Sequence, residues 1–445
     1  MKSPLSLPLL AALAFAGSAT YAHAADLLQV YRDAVGYDAI YAAARAQRDA
    51  GLEKLPQGRA GLLPTIGLSA NTTWNDIEST ARTTPAVTRS AAYNSNAWGV
   101  SLAQPLFRWQ NWVGYQQAEL AVAAAETQFA LARQDLIVRV AQAYFDVLLA
   151  QETLATAQAQ KIAISQQLEL AKRSFEVGTA TITDTHEAQA RFDLTVAQEI
   201  AAENDLTVKR QTLLTLTGKD AIALKVLRPN VQIGRPQPDD IGQWAASAET
   251  GNLGVQLAQT ALEVASREIE KQRAGHYPTL DLVATHGRSA AGGSIIPGGA
   301  GSDGKSSTIG LQLAVPLFAG GAVSSRERES VALNEKARAD LDQARRSATL
   351  GARQAYLGVA AGLAQVRALE AGVASSLLAV ESNKLGYEVG VRINIDVLNA
   401  QSQLFDTRQK LAKARLDTLV AQLKLKSAVG NLTEDDLAAL NALLE

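Results

Sequence analysis

The phrase FEVGTATITDTHEAQARFD at residues 175–193 returns about 212 residues later as YEVGVRINIDVLNAQSQLF. Aligned, Phe175 falls on Tyr387, Val177-Gly178 on Val389-Gly390, Asp184 on Asp396 and Ala188-Gln189 on Ala400-Gln401. The echo runs along the chain: AGLLPTIGL (60–68) with AGHYPTLDL (274–282), GVSLAQPLF (99–107) with GLQLAVPLF (310–318), QAYFDV (142–147) with QAYLGV (354–359), and Gly218 with Gly430. A spacing held between about 211 and 214 residues marks a tandem duplication of one unit. The first copy is expected at 25–237 and the second at 238–445, and both must fold alike.

Within a unit the pattern reads helix, strand, strand, helix, helix. Residues 112–176 contain no proline, one early glycine and many Ala, Gln, Leu and Glu, all strong helix formers. They predict one helix of about 112–177, roughly 100 Å long at 1.5 Å per residue. Its counterpart, about 321–388, is also proline-free, though interrupted by Gly351, Gly358, Gly362 and Gly372. The other helices are about half as long. Asp26 and Gln29 suit a capped start for one running to Leu55, before Pro56, and Asp184 begins another that ends near Thr217. Stacked end to end, two short helices match one long one. Rods of this length bury their apolar stripes only against equally long neighbours. A periplasmic coiled-coil scaffold would satisfy that much.

The strands, expected at about 65–75, 97–107, 279–287 and 307–317, argue for a membrane barrel instead. Ile66 and Leu68 alternate with Thr65, Gly67 and Ser69, and Val100 and Leu102 with Gly99 and Ser101. Leu280 and Leu282 oppose Asp281, which should therefore face water, while Leu311 and Leu313 oppose Gly310 and Gln312. One face is apolar and the other small and polar. Runs of about ten residues with this alternation suit tilted strands crossing a bilayer. Trp74 and Trp98 at the far ends, with Phe107, Trp109, Trp112 and Phe318 where strand yields to helix, read as two aromatic girdles. Four strands cannot close a barrel, for which about eight is the minimum. Several chains must share one: two copies would give eight strands, three would give twelve, and only the larger ring leaves an aqueous bore.

Composition narrows the remaining classes. The opening MKSPLSLPLLAALAFAGSATYAHA reads as a secretory leader, 1–24, cleaved after Ala24. After it no apolar run near the roughly 18 residues of a spanning helix stands out. A formal net charge of -2 gives no reason to expect nucleic acid as a partner. There is no cysteine, and His186, His276 and His286 show no ligand spacing, so neither a metal site nor any other cofactor is expected. The loop Gly299-Ala-Gly-Ser-Asp-Gly304-Lys305-Ser306 satisfies a phosphate-loop pattern, but that pattern needs a helix after it, and here a strand follows. No catalytic spacing appears, so an enzyme is not expected.

The duplicated unit, with LLPTIGL, HYPTLDL, AYFDVL, FEVGTATITD and GYEVGVRINIDVL, resembles the TolC family of outer-membrane export ducts over essentially the whole chain after the leader. The resemblance implies a mixed α and β membrane protein. It would be a homotrimer whose twelve-stranded barrel, four strands per chain, continues into a long periplasmic helical barrel. It implies an exit duct for drugs, toxins or proteins in efflux pumps or type I secretion, in the outer membrane of a Gram-negative cell. Its partners would be a periplasmic adaptor and an inner-membrane pump of RND, MFS or ABC type. A long C-terminal tail common in near relatives is not expected after Glu445. Gly178 and Gly390 then mark hairpin tips that meet adaptor and pump. Family gates are held by hydrogen bonds and an ion pair at positions matching Thr183, Asp184, Tyr387 and Arg392, and constricted by acids matching Asp396 and Asn399. At Asn399 this chain departs from the pattern and has no charge.

Overall fold

The structure, a computed structural model, describes residues 24–220, 223–228, 231–296 and 299–445, so the expected leader lies outside the described residues apart from Ala24. The first half contains α1 (Leu27–Tyr37), α2 (Ala39–Leu52), α3 (Lys54–Ala60), β1 (Thr65–Ala81), β2 (Val87–Phe107), α4 (Trp109–Glu176) and α5 (Ile182–Thr217). The second contains α6 (Ile241–Gly251), α7 (Leu253–Arg273), β3 (Thr279–Ala291), β4 (Ser302–Ala314), α8 (Ala322–Glu388), α9 (Asn394–Ala428) and the short α10 (Glu434–Asn441).

The single helix expected to run to Leu55 is three. Asp38 makes the first break, because its carboxylate accepts from the amides of Ile40 and Tyr41 while its own amide donates to the Ala34 carbonyl, capping two helices at once. Arg139 of α4 holds this buried carboxylate at 2.6 Å, so the break is fixed to the long helix. Pro56 then falls in the first turn of α3, where no amide donor is needed.

α4 has 68 residues and α8 has 67. The short helices lie antiparallel along them. Gly58 and Gly51 meet Ala118 and Ala125 near the start of α4, and further down Lys209 of α5 pairs with Asp146 of α4 and Lys161 of α4 with Glu199 of α5. In the second half Ser266 of α7 meets Asn334, and Arg415 of α9 meets Glu370. Shorter helices thus cover one long one in each half: α1, α2, α3 and α5 along α4, and α6, α7 and α9 along α8.

The largest core lies where these columns change over. Leu27, Ile137, Tyr144, Leu213, Leu419 and Leu437 are fully buried there, drawing α1, α4, α5, α9 and α10 together. Burial, with Asp26 nearby, pushes the Tyr144 hydroxyl above its ordinary range, so it stays protonated. It donates to the carbonyls of Ala25 and Lys225, tying the start of the chain to the segment after α5.

β1 to β4 form one antiparallel sheet in chain order, and β2 pairing with β3 joins the two halves. The first hairpin runs longer than expected, to Ala81 and from Val87, because the polar alternation continues past Trp74 and still completes the ladder. β4 begins at Ser302 and ends at Ala314, before Phe318. The phosphate-loop match therefore lies within a strand and its approach, with no helix behind it. Pro105 sits at a bulge between β2 and β3, a place that tolerates its missing donor.

One sequence reading fails in detail. α8 contains an 18-residue window with a mean hydropathy of 1.3, apolar enough by composition to span a membrane. A helix of 67 residues far exceeds a hydrocarbon core of about 30 Å, and α8 packs along α6, α7 and α9. Its alanines serve helix packing.

Candidate functional sites at the two ends of the molecule

At one end, the register of the sheet settles which side chains share a face. Ile66 pairs with Leu102, Leu68 with Val100, Leu280 with Leu313 and Leu282 with Leu311. Directly opposed residues point the same way, and Leu102 faces Ala284 across the middle ladder, so all eight form one apolar face. Ile66, Leu68, Leu311 and Leu313 are each more than 60% exposed, which is costly in water and natural in lipid. The opposite face carries Gly67, Ser69, Gly99, Ser101, Thr285, Gly310 and Thr308. Trp74 and Trp98 are exposed on the apolar face, but within their strands, not at the ends. Phe107, Trp109, Trp112 and Phe318 are exposed around the junctions with α4 and α8.

Asp281 corrects an expectation. It lies on the small polar face, yet it is only 7% exposed, because Arg108 grips it with Nε at 2.8 Å and Nη2 at 2.6 Å. The arginine sits between β2 and α4, so the bidentate pair clamps the rod's root to β3. The carboxylate is a strut, not a free lumenal charge.

At the other end, both tips have the same turn. Gly178 and Gly390 each have φ of 75°, a conformation that a side chain resists. The amides of Thr179 and Ala180 return to the Ser174 carbonyl, as those of Val391 and Arg392 return to Gly386. The acids that follow differ. Asp184 completes a capping box with Thr181, accepting from its amide at 2.9 Å and its hydroxyl at 2.8 Å. Ile393 offers Asp396 no such partner, and the Asp396 carboxylate instead lies 3.6 Å from Arg392, one turn back.

Within one chain Asp184 and Arg392 do not pair, and no side-chain hydrogen bond of Thr183 or Tyr387 is seen among the described residues. What joins the two tips is a set of contacts that the sequence did not single out. Gln167 of α4 donates to the amide oxygen of Asn394 at 2.5 Å, and Asn394 donates to the Asp184 carbonyl at 3.3 Å. Asn394 is fully buried and Gln167 nearly so, against a small core containing Ile164, Leu168, Ala188 and Leu398. Nearer the surface Arg191 donates to the Asn399 side chain at 2.8 Å. The duplication held a signal for this latch: Asn394 falls on Ile182 and Gln167 on Ala379, so each polar group replaces an aliphatic one in the other repeat.

A rod of two long helices, each packed against shorter ones, ending in an open sheet with one apolar and one small polar face, is the protomer fold of an outer-membrane channel. The Campylobacter jejuni CmeC outer membrane channel superposes with a TM-score of 0.78 over 94% of this chain and 90% of that one, at 16% identity. Outer membrane protein TolC of Vibrio cholerae is 33% identical over 99% of this chain and 98% of its own. Proteases secretion protein PrtF of Dickeya chrysanthemi is 33% identical over 95% of this chain and 91% of its own. The family model described as outer membrane efflux protein matches residues 38–219 and 244–431, one stretch in each repeat. The chain belongs to that family. It is an outer-membrane exit duct, with its helical rod extending into the periplasm.

Proposed function

We propose that three copies close one twelve-stranded barrel and one helical tunnel, passively conducting drugs, toxins or proteins handed over by an inner-membrane pump and a periplasmic adaptor at the tips. The observation carrying this reading is the sheet itself. It has four strands, two edges in β1 and β4 without a partner among the described residues, and an apolar band on the face that a closed ring turns to lipid. A relative named for protease secretion and a family named for efflux support both kinds of cargo. The pump is of RND, MFS or ABC type.

The gate lies at the tips. Asp184 and Arg392, free of one another within a chain, pair between neighbouring hairpins of different copies, with Thr183 and Tyr387 adding hydrogen bonds. Such contacts contribute about 0.5 to 1.5 kcal/mol each. Threefold repetition makes them a closure that holds yet yields to docking. Three Asp396 carboxylates converge at the closed mouth and favour cations, moderated by Arg392 on each and by the uncharged Asn399. The test is single-channel conductance in planar bilayers. Tyr387→Phe with Arg392→Ser should raise conductance without loss of the trimer, and Asp396→Ala should lower cation selectivity. Unchanged conductance on verified trimers sinks the gate, and unchanged selectivity sinks the acidic ring.

A further inference from the structure

In the first hairpin Trp74 lies directly across from Asn94 on the apolar face. The offset that sets Leu68 on Leu282 sets Trp74 on Arg288, and the one that sets Phe107 on Phe318 sets Asn94 on Lys305. The second hairpin pairs these two residues, Arg288 with Lys305. Two like charges directly opposite on a strand pair repel, so the replacement calls for an anion. Asp303, on the same face, supplies one: Arg288 donates to it through Nε at 2.7 Å and through Nη2. Lys305 is left exposed, without an ion pair among the described residues.

The same row continues to Trp98, which pairs with Arg288 across β2 and β3. Inward from it come Val100, His286 and Ser307, then Leu102, Ala284 and Ile309, then the leucines. The eight steps from Leu280 to Arg288, at about 3.4 Å each and tilted by roughly 40°, rise about 20 Å. The charged row therefore sits where an apolar band of about 25 Å ends. Aromatics at the helix junctions mark the periplasmic boundary, so this row marks the outer one. The outer leaflet of such a membrane is a phosphorylated glycolipid, and phosphate is the anion available at that depth.

We propose that Arg288 and Lys305, flanked by Trp98, bind a phosphate of the outer-leaflet glycolipid. Asp303 competes for Arg288 and keeps the lipid exchangeable. This rests on the outer-membrane barrel reading. In the test, detergent-extracted oligomers are incubated with bis-phosphorylated lipid A, with its dephosphorylated form and with phosphatidylethanolamine, and retained lipid is counted by native mass spectrometry. The parent should retain the phosphorylated form about fivefold better than the other two, the increment for one uncompensated cation at a membrane surface. Arg288→Trp with Lys305→Asn, which copies the chain's own first hairpin, should lose that preference, and Asp303→Asn should strengthen it. Equal retention of the two lipid A forms by the parent, or a preference that survives the double replacement, overturns the proposal. Conductance is read on the same samples. Conducting oligomers without phosphate preference refute the lipid site alone, whereas a parent that never inserts refutes the barrel reading beneath it.

Discussion

Asn394→Ile places in the second tip the residue that the first tip carries at Ile182. Asn394 has no exposed surface and Gln167 is 7% exposed, so the substitution strands the Gln167 amide in a dry site. A buried donor without its acceptor costs about 1 to 3 kcal/mol. Burying the larger aliphatic group returns about 1 kcal/mol. The net loss is then up to about 2 kcal/mol per chain. Gln167→Leu in the same molecule removes the stranded donor, and exchanging both partners for apolar groups is close to neutral.

The assay is native-state hydrogen exchange of the oligomer, followed in peptides covering the first turns of α9. A loss of about 1.4 kcal/mol in local stability should speed exchange there roughly tenfold, leaving the core around Tyr144 unchanged. The double variant should return towards the parent, giving a coupling of about 1 to 2 kcal/mol between the sites. If α9 exchanges at the parental rate in Asn394→Ile, or if the double variant shows the sum of the two single effects, the amide pair does not latch the tips.

Leu68→Arg and Leu311→Arg put charge on the apolar face and should each cost about 2 to 4 kcal/mol near the midplane, read as loss of folded oligomer in refolding into vesicles; insertion at the parental level would contradict the lipid-facing assignment. Asp281→Asn should weaken the clamp on half-exposed Arg108 by about 1 kcal/mol, lowering the denaturant midpoint of the oligomer with conductance unchanged. An unmoved midpoint would mean the pair is dispensable. Gly178→Ala and Gly390→Ala each force a side chain into φ of 75° and should destabilise their tips by a similar amount, about 1 kcal/mol, measured by exchange at residues flanking each turn.

The duplication, the long helices and the alternating strands were legible because each is written locally and then repeated. Proline-free, alanine-rich runs favour helix, and a two-residue alternation of apolar with small polar residues reads directly as a two-faced strand. The break at Asp38 was hidden because an aspartate in a helical pattern can stand as an ordinary helix residue or as a cap, and the Arg139 that holds its carboxylate lies 101 residues away. Asp281 misled for the same reason: alternation gave its face correctly, while its burial depends on Arg108, 173 residues away in sequence. The ends of β1 and β2 were missed because Asn75, Asp76 and Glu78 are poor strand formers, and pairing with the partner strand overrides that preference.

Duplication also explains why the tips are built alike but do different work. After copying, both Asp184 and Asp396 stood in the first turn of a returning helix, where an acid is favoured by the helix dipole. Thr181 commits the first carboxylate to its own backbone, while Ile393 in the second repeat leaves Asp396 without that engagement. A carboxylate locked in a capping box keeps fewer lone pairs for a partner across an interface than one held only by a long contact to Arg392. In the proposed trimer Asp184 keeps its second carboxylate oxygen for the Arg392 pair, and Asp396 is the acid that would present charge to the shared mouth. The first tip, joined to the second through Gln167 and Asn394, would supply the backing against which the proposed mouth opens.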